Sequence, residues 1–228
     1  MIHIDHIAVG TADLYECSDR IRKETGLGFY DGGWFPAFGI ANKIFPLGGH
    51  TYMEIESIVN PSKIHPGNPI FDYFLKATSA SEDTFTGLCL GVDSMEELEE
   101  VAKRHNSTVL DSKDAVRVRS SGPAFKDVQT PTDFTWGKGL PNWYYFTDMT
   151  LHPSGQPTEP YPGLHRPTGI NWVEMGGTEK EMSDWLGVPA STMPMRFNGK
   201  TKGLYAVSVS TEDGPEIVIR KKNAVTLL

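Results

Sequence analysis

The chain has 228 residues, 29 acidic against 21 basic side chains, and a formal charge of −8, with 22% charged and 39% hydrophobic residues. That length buries a substantial core in one large domain or two small ones. The acidic balance leaves no basic stripe to neutralise phosphates, which argues against a nucleic-acid partner.

Met1 leads directly into a strand pattern, without the charged-then-apolar leader of an export signal. Residues 2–10 alternate, with Ile4, His6 and Ala8 on one face and Asp5, Ile7 and Val9 on the other. Leu14, Cys17 and Ile21 follow at helical spacing, and Gly26 closes that helix. Gly32-Gly33 reads as a turn. Residues 34–58 hold three further strands, broken at Gly39 and at Gly48-Gly49, the last being Tyr52-Met53-Glu54-Ile55-Glu56. Residues 61–83 form a Pro- and Ser-rich connector with a short helix near 71–76.

The order then repeats. Residues 6–14 overlay 87–95 without gaps, so that Ile7 matches Leu88, Gly10 matches Gly91 and Leu14 matches Met95. A strand at 86–92 meets a helix opened by Ser94 with Glu97 three residues on, the capping-box spacing. Met95, Leu98, Val101 and Ala102 form its apolar stripe. Strands are expected near 115–120, 132–137 and 143–149, and residues 152–168 read as a proline-rich connector. A third opening follows: a strand at 169–175, the box Thr178/Glu181, a helix carrying Met182, Trp185 and Leu186, and a hairpin of 204–209 with 215–220. The expected units are a first module at 1–60, a connector at 61–83, a second module at 84–151, a connector at 152–168, and a partial βαββ unit at 169–228.

Two cysteines provide no disulfide framework and suit a reducing, cytoplasmic setting. No apolar run reaches the roughly 18 residues of a membrane helix, so no membrane partner is expected. Dinucleotide, phosphate-loop, serine-elbow and paired-cysteine zinc motifs are not found.

Several stretches taken together resemble a known family. Asp5-His6-Ile7-Ala8-Val9 leads into a helix, followed by Gly33-Trp34-Phe35-Pro36-Ala37-Phe38-Gly39-Ile40-Ala41-Asn42, Pro46-Leu47-Gly48 and Tyr52-Met53-Glu54-Ile55. Asn142-Trp143-Tyr144-Tyr145-Phe146-Thr147-Asp148, then His152-Pro153, resembles the close of a second unit. The series is similar to the glyoxalase-like domains of the vicinal oxygen chelate superfamily across nearly the whole chain. One departure is Phe35 ahead of Pro36, where related sequences often carry histidine.

The resemblance implies an α+β fold of paired βαβββ modules, with curled mixed sheets around a cleft and, here, a third partial βαββ unit. In metal-dependent members the first strand of each module gives a His or Gln ligand and the last a carboxylate. Carried over, His6 and Glu54 are metal ligands of module one, Asp148 is the carboxylate of module two, and Gly87 leaves its corner empty. A divalent Zn, Mn, Fe or Ni ion would suit such a His/carboxylate set. It would polarise a substrate with vicinal oxygens while Glu54 moves the proton as the catalytic residue. Phe38, Asn42, Tyr52, Trp136 and Tyr145 are the candidate substrate-binding residues.

The implied function is a metal-assisted lyase, isomerase or hydrolase acting on a small-molecule ligand. A homodimer is compatible with family habit. The competing reading is a metal-free, drug-sequestering binding protein using the same cleft, favoured by Gly87; a weaker third is an interaction module without chemistry. On those readings His6 is a hydrogen-bonded strand histidine. Glu56, two residues beyond Glu54 and on its face, competes for Glu54's role. His50, His152 and His165 are either surface residues or replacement ligands; Cys17 is core, and Cys89 is a packed or cleft thiol on the face that carries His6.

Overall fold

The computed structural model describes residues 1–36, 38–64, 75, 83–111, 125–128, 140–212, 214, 216–220 and 226–227. The strands expected near 115–120 and 132–137, and the helix near 71–76, lie outside them.

The first module runs β1 (His3–Gly10), α1 (Leu14–Thr25), β2 (Tyr30–Phe35), β3 (Ile40–Gly48) and β4 (Thr51–Ile58). Asp13 caps α1 by accepting from the Tyr15 and Glu16 amides, and Gly26 closes it at φ 66° in the left-handed region. The second runs β5 (Thr84–Gly91), α2 (Met95–Arg104), β6 (Val109–Asp111), β7 (Phe125–Val128) and β8 (Leu140–Phe146). Ser94 caps α2 by accepting from the Glu97 amide, while the Glu97 carboxylate accepts from the Asp93 amide. The gap-free overlay that carries His6 onto Gly87 also carries the cap Asp13 onto the cap Ser94.

Among the described residues these strands form one mixed sheet, ordered β2-β3-β4-β1-β5-β8-β7-β6, that curls into a half-barrel. Each module closes by pairing its first and last strands in parallel, β1 with β4 and β5 with β8. The modules join where β1 and β5 run antiparallel. Helices α1 and α2 cover the convex side, burying Leu14, Cys17, Ile21, Leu98 and Val101 against Ile7, Val9, Ile55, Leu88 and Leu90. The concave side is left to the polar residues of β1, β4, β5 and β8.

The third unit is β9 (Pro167–Met175), α3 (Glu179–Leu186), β10 (Met195–Phe197), β11 (Leu204–Thr211), β12 (Ile217–Arg220) and β13 (Thr226–Leu227). Thr178 and Glu181 form the full capping box of α3. Its strand order, β10-β9-β11-β12-β13, differs from that of the modules: the strand after the helix lies directly beside the first, in parallel. The β3–β4 turn packs on this unit. Gly48 and Gly49 hold φ of 77° and 55°, and a Cβ on either would run into the backbone of Pro167 or Thr168.

Three local expectations are corrected. Gly32-Gly33 lies within β2 rather than in a turn; the β2–β3 register shifts between Asp31 and Trp34, and a side chain at Gly32 would strike Asn42. The last strand of module two begins and ends three residues earlier than 143–149, at Leu140–Phe146. The even alternation of β1 is broken by a bulge between Ile4 and His6 opposite Cys89 and Leu90. Asp5 is therefore an extra residue that shares the His6 face, and Ile4 joins the core with Ile7 and Val9.

Arg104, at the end of α2, donates to the Leu186 carbonyl at the end of α3. A cation there satisfies an orphan carbonyl and faces the negative end of the helix dipole. Arg104→Ala is expected to cost about 1 kcal/mol in urea denaturation; no change would leave this contact without energetic weight.

Candidate functional site

The bulge brings a buried polar cluster together on the concave side. His6 Nδ1 lies 2.5 Å from Asp5 Oδ1, and His152 Nε2 lies 3.0 Å from Asp5 Oδ2. Asp5, His6 and His152 are 1%, 3% and 1% exposed. Burial opposes ionisation of Asp5, but the hydrogen bonds from His152 and His6 outweigh it and hold its pKa below the usual carboxylate value. Asp5 is thus an acceptor on both oxygens, and each imidazole turns an N–H toward it.

Burial also opposes charge on His6. Cys89, opposite it in the β1–β5 ladder, and the Asp5 carboxylate prevail and raise its pKa well above the ordinary imidazole value. The ring stacks on Tyr52 at 4.3 Å between centroids and meets the edge of Tyr144 at 4.9 Å. With Nδ1 committed to Asp5, His6 Nε2 is directed to Glu54 Oε2, 3.8 Å away. Glu54 Oε1 accepts from the Asn42 amide, whose own oxygen accepts from the Gly33 backbone at 2.5 Å.

Glu56 stands beside Glu54. Burial and the Glu54 carboxylate push its pKa well above the carboxylate range, and His6 only partly offsets them. Cys89 is likewise held up by burial, against the pull of His6.

The Glu56 shift carries a sign that can be checked. An acid whose folded pKa is raised stabilises below its unfolded value, and that contribution is lost as pH rises toward the folded value. Each pH unit across that window is about 1.4 kcal/mol. Glu56→Gln, similar in shape and uncharged, is expected to melt higher than the parent at pH 8, by a few degrees, and by less at pH 5. Equal melting shifts at both pH values would contradict this.

The structure brings together His6, Glu54, Asn42 and Tyr52 of the expected site residues. Phe38, 37% exposed, sits in the β2–β3 turn near the exposed Trp34. Tyr145 packs against the core on the convex side, and its neighbour Tyr144 is the residue that meets His6. Trp136 lies outside the described residues.

Asp148 is not brought to His6. It lies beyond the end of β8, exposed, capping a short 3-10 turn at Met149–Leu151 through the Thr150 amide at 2.9 Å. The reason is register. Ala8 pairs with Glu54 in the parallel β1–β4 ladder, and Cys89, the counterpart of Ala8, pairs with Asn142. Asn142 thus stands where Glu54 stands, and Tyr144 where Glu56 stands. Module two presents Gly87 and Asn142 at the two places that carry His6 and Glu54 in module one.

That pattern tests the metal expectation. His6, with Nδ1 held by a carboxylate, and Glu54 are two plausible donors. Among the described residues, no group of three or more His, Cys, Asp or Glu side chains is placed to hold an ion. The described residues therefore do not fit a divalent metal.

Asp5 and His152 were not among the expected site residues. His152, expected as a surface residue or a replacement ligand, is 1% exposed and packed against Tyr52, Phe146 and His50. Its only local signal is the following proline: Pro153 opens a 3-10 turn whose Ser154 amide the imidazole caps.

Among the described residues no helix is long and apolar enough to cross a membrane. A search of curated proteins finds no match. Among solved structures, the chain is similar to a hypothetical protein from Staphylococcus aureus, at 13% identity and a TM-score of 0.66, over 100% of this chain and 98% of that one. It is also similar to the methylmalonyl-CoA epimerase of Mycobacterium tuberculosis, at 12% identity and 0.45, over 65% and 90%. A Streptomyces coelicolor methylmalonyl-CoA epimerase variant in complex with 2-nitronate-propionyl-CoA gives 14% and 0.45, over 64% and 98%. The first of these likenesses concerns the fold alone. The glyoxalase-like domain model matches residues 4–181, spanning both modules, the connector that carries His152, and α3 as far as Glu181. With the paired βαβββ modules and their half-barrel, that match places this chain in the glyoxalase-like domain family.

Proposed function

We propose that the protein is an enzyme acting on a small molecule with neighbouring oxygens, and that His6 and Glu54 move a proton on it. The observation that carries this reading is the line Asp5–His6–Glu54: a buried carboxylate fixes one imidazole nitrogen and turns the other toward a second carboxylate. Such a pair can take a proton from a carbon next to a carbonyl and return it to carbon or oxygen. Glu54, 14% exposed at its side chain, is the base that meets substrate, and Asn42 fixes its rotamer. The His6 imidazolium, kept charged by Asp5, stabilises the enolate oxygen that develops. Tyr52 and Tyr144 hold the ring in place, and Phe38 and Trp34 supply exposed aromatic surface for the apolar part of a ligand. The reaction class is isomerase or lyase.

The test is deuterium incorporation at carbon, followed by NMR in D2O with a panel of diketones, enols and lactones. Exchange or turnover is expected in the parent, falling on the order of 100-fold or more in His6→Ala and in Glu54→Gln. A second reading, a binding protein without chemistry, is favoured by Gly87 and Asn142, which leave module two without an acid or an imidazole at the matching places. It predicts a ligand bound equally well by His6→Ala, with no exchange in any variant. That outcome would overturn the enzyme reading.

A further inference from the structure

We infer that His152, delivered by the segment that follows module two, is a positioning residue for His6 and acts through Asp5. The inference deepens the proposed function, since it gives a role to a residue that never meets substrate. Its ground is the direction of four hydrogen bonds. His152 Nδ1 faces the Ser154 backbone N–H at 3.3 Å and the Ser154 hydroxyl at 2.8 Å. A ring nitrogen that accepts a backbone N–H carries no proton, so the proton of the neutral ring is on Nε2. Nε2–H then donates to Asp5 Oδ2 at 3.0 Å, leaving Oδ1 for His6 at 2.5 Å.

The terminal torsion of an aspartate is broad and two-fold, so one donor does not fix the carboxylate plane. Two donors on opposite oxygens do. With His152 in place, Asp5 has one orientation, His6 has one orientation, and Nε2 of His6 points to Glu54. Edge contacts from the His152 ring to Tyr52 (5.5 Å) and Phe146 (4.5 Å) set its height over the sheet. Tyr52 is also the ring stacked on His6, so the same residue braces both imidazoles. The chain Ser154–His152–Asp5–His6–Glu54 thus couples the exit of module two to the first strand of module one.

The test reads the hydrogen bond itself and needs no substrate. The Nδ1 proton of His6 should appear as a low-field NMR resonance protected from exchange, because the bond is charge-assisted and buried. In His152→Phe, which keeps a ring but has no donor, that resonance is expected to broaden away or move upfield. In His152→Gln, which restores an N–H donor, it is expected to return. An unchanged resonance in folded His152→Phe would overturn the inference. A second measurement on the unmodified protein guards against a variant that fails to fold: the 15N shifts of His152 should show a protonated Nε2 and a bare Nδ1. A bare Nε2 would overturn the inference as well. Either outcome is independent of whether carbon–deuterium exchange is found, so failure of this assignment and failure of the enzyme reading are told apart.

Discussion

Asp5→Ala is expected to lower stability by about 3–5 kcal/mol, the cost of stranding buried polar partners once their common counter-charge is removed. For a chain of this size each kcal/mol moves the melting temperature by about 2–4 °C, so a drop on the order of 10 °C should appear in a thermal melt at pH 6. The size of the effect comes from position. Asp5 is 1% exposed and accepts from two imidazoles that are themselves almost fully buried, and removing it leaves two N–H groups facing a cavity with nothing to receive them.

The pH dependence adds a second signature. Asp5 has a lowered folded pKa, so its contribution is present above the unfolded carboxylate value and is lost as pH falls through the folded one. His6 has a raised folded pKa, so its contribution is present below the unfolded imidazole value and is lost as pH rises through the folded one. Both are in place between roughly pH 4 and 6.5. The parent should therefore gain most over Asp5→Ala inside that window and less on either side. A loss below 1 kcal/mol, or a difference between the two proteins that ignores pH, would show that the cluster contributes no net stability.

Trp143→Ala is expected to cost a comparable 3–5 kcal/mol, for a different reason. Trp143 on β8 is 0% exposed and lies under the convex side of module two. Its ring stacks on Trp185 of α3 at 5.2 Å and 18°, with His105 at the end of α2 tilted against both. This trio is where module two, its own helix and the third unit meet, so its loss opens a cavity across a junction that Arg104 can no longer hold rigid. Protease cleavage within 152–168 should then appear at lower temperature than in the parent.

Trp143→Phe should be much milder. Among the described residues the buried indole N–H has no acceptor, so removing it offsets part of the lost ring area. Equal losses for Ala and Phe would mean that the indole N–H has a partner and that the cavity is not the source of the cost.

The parts of this protein written in local sequence are those whose physics is local. Asp13 and Gly26 bound α1, Ser94 opens α2 and Thr178 with Glu181 opens α3, because a cap is decided by side chains within three or four residues of the amides they satisfy. The echo of His6-to-Leu14 in Gly87-to-Met95 announced two modules, since each must bury the same apolar face of a strand and a helix. His6 and Glu54 were singled out through the resemblance to glyoxalase-like domains, not through the echo.

The tertiary structure alone decided the rest. Period-two alternation assumes an unbroken strand, and one extra residue in β1 moved Asp5 onto the His6 face and Ile4 into the core. The register of β8 against β5 is a pairing between segments some fifty residues apart in the chain, with no local mark of which residue meets Cys89. It placed Asn142 where a carboxylate was expected, moved Asp148 off the sheet, and chose Tyr144 over Tyr145 by the odd–even rule of the strand. His152 comes to Asp5 across 147 residues of chain. A hydrogen bond of that separation exists only once both modules have closed, which is why the residue that completes the cluster looked, in sequence, like one more histidine before a proline.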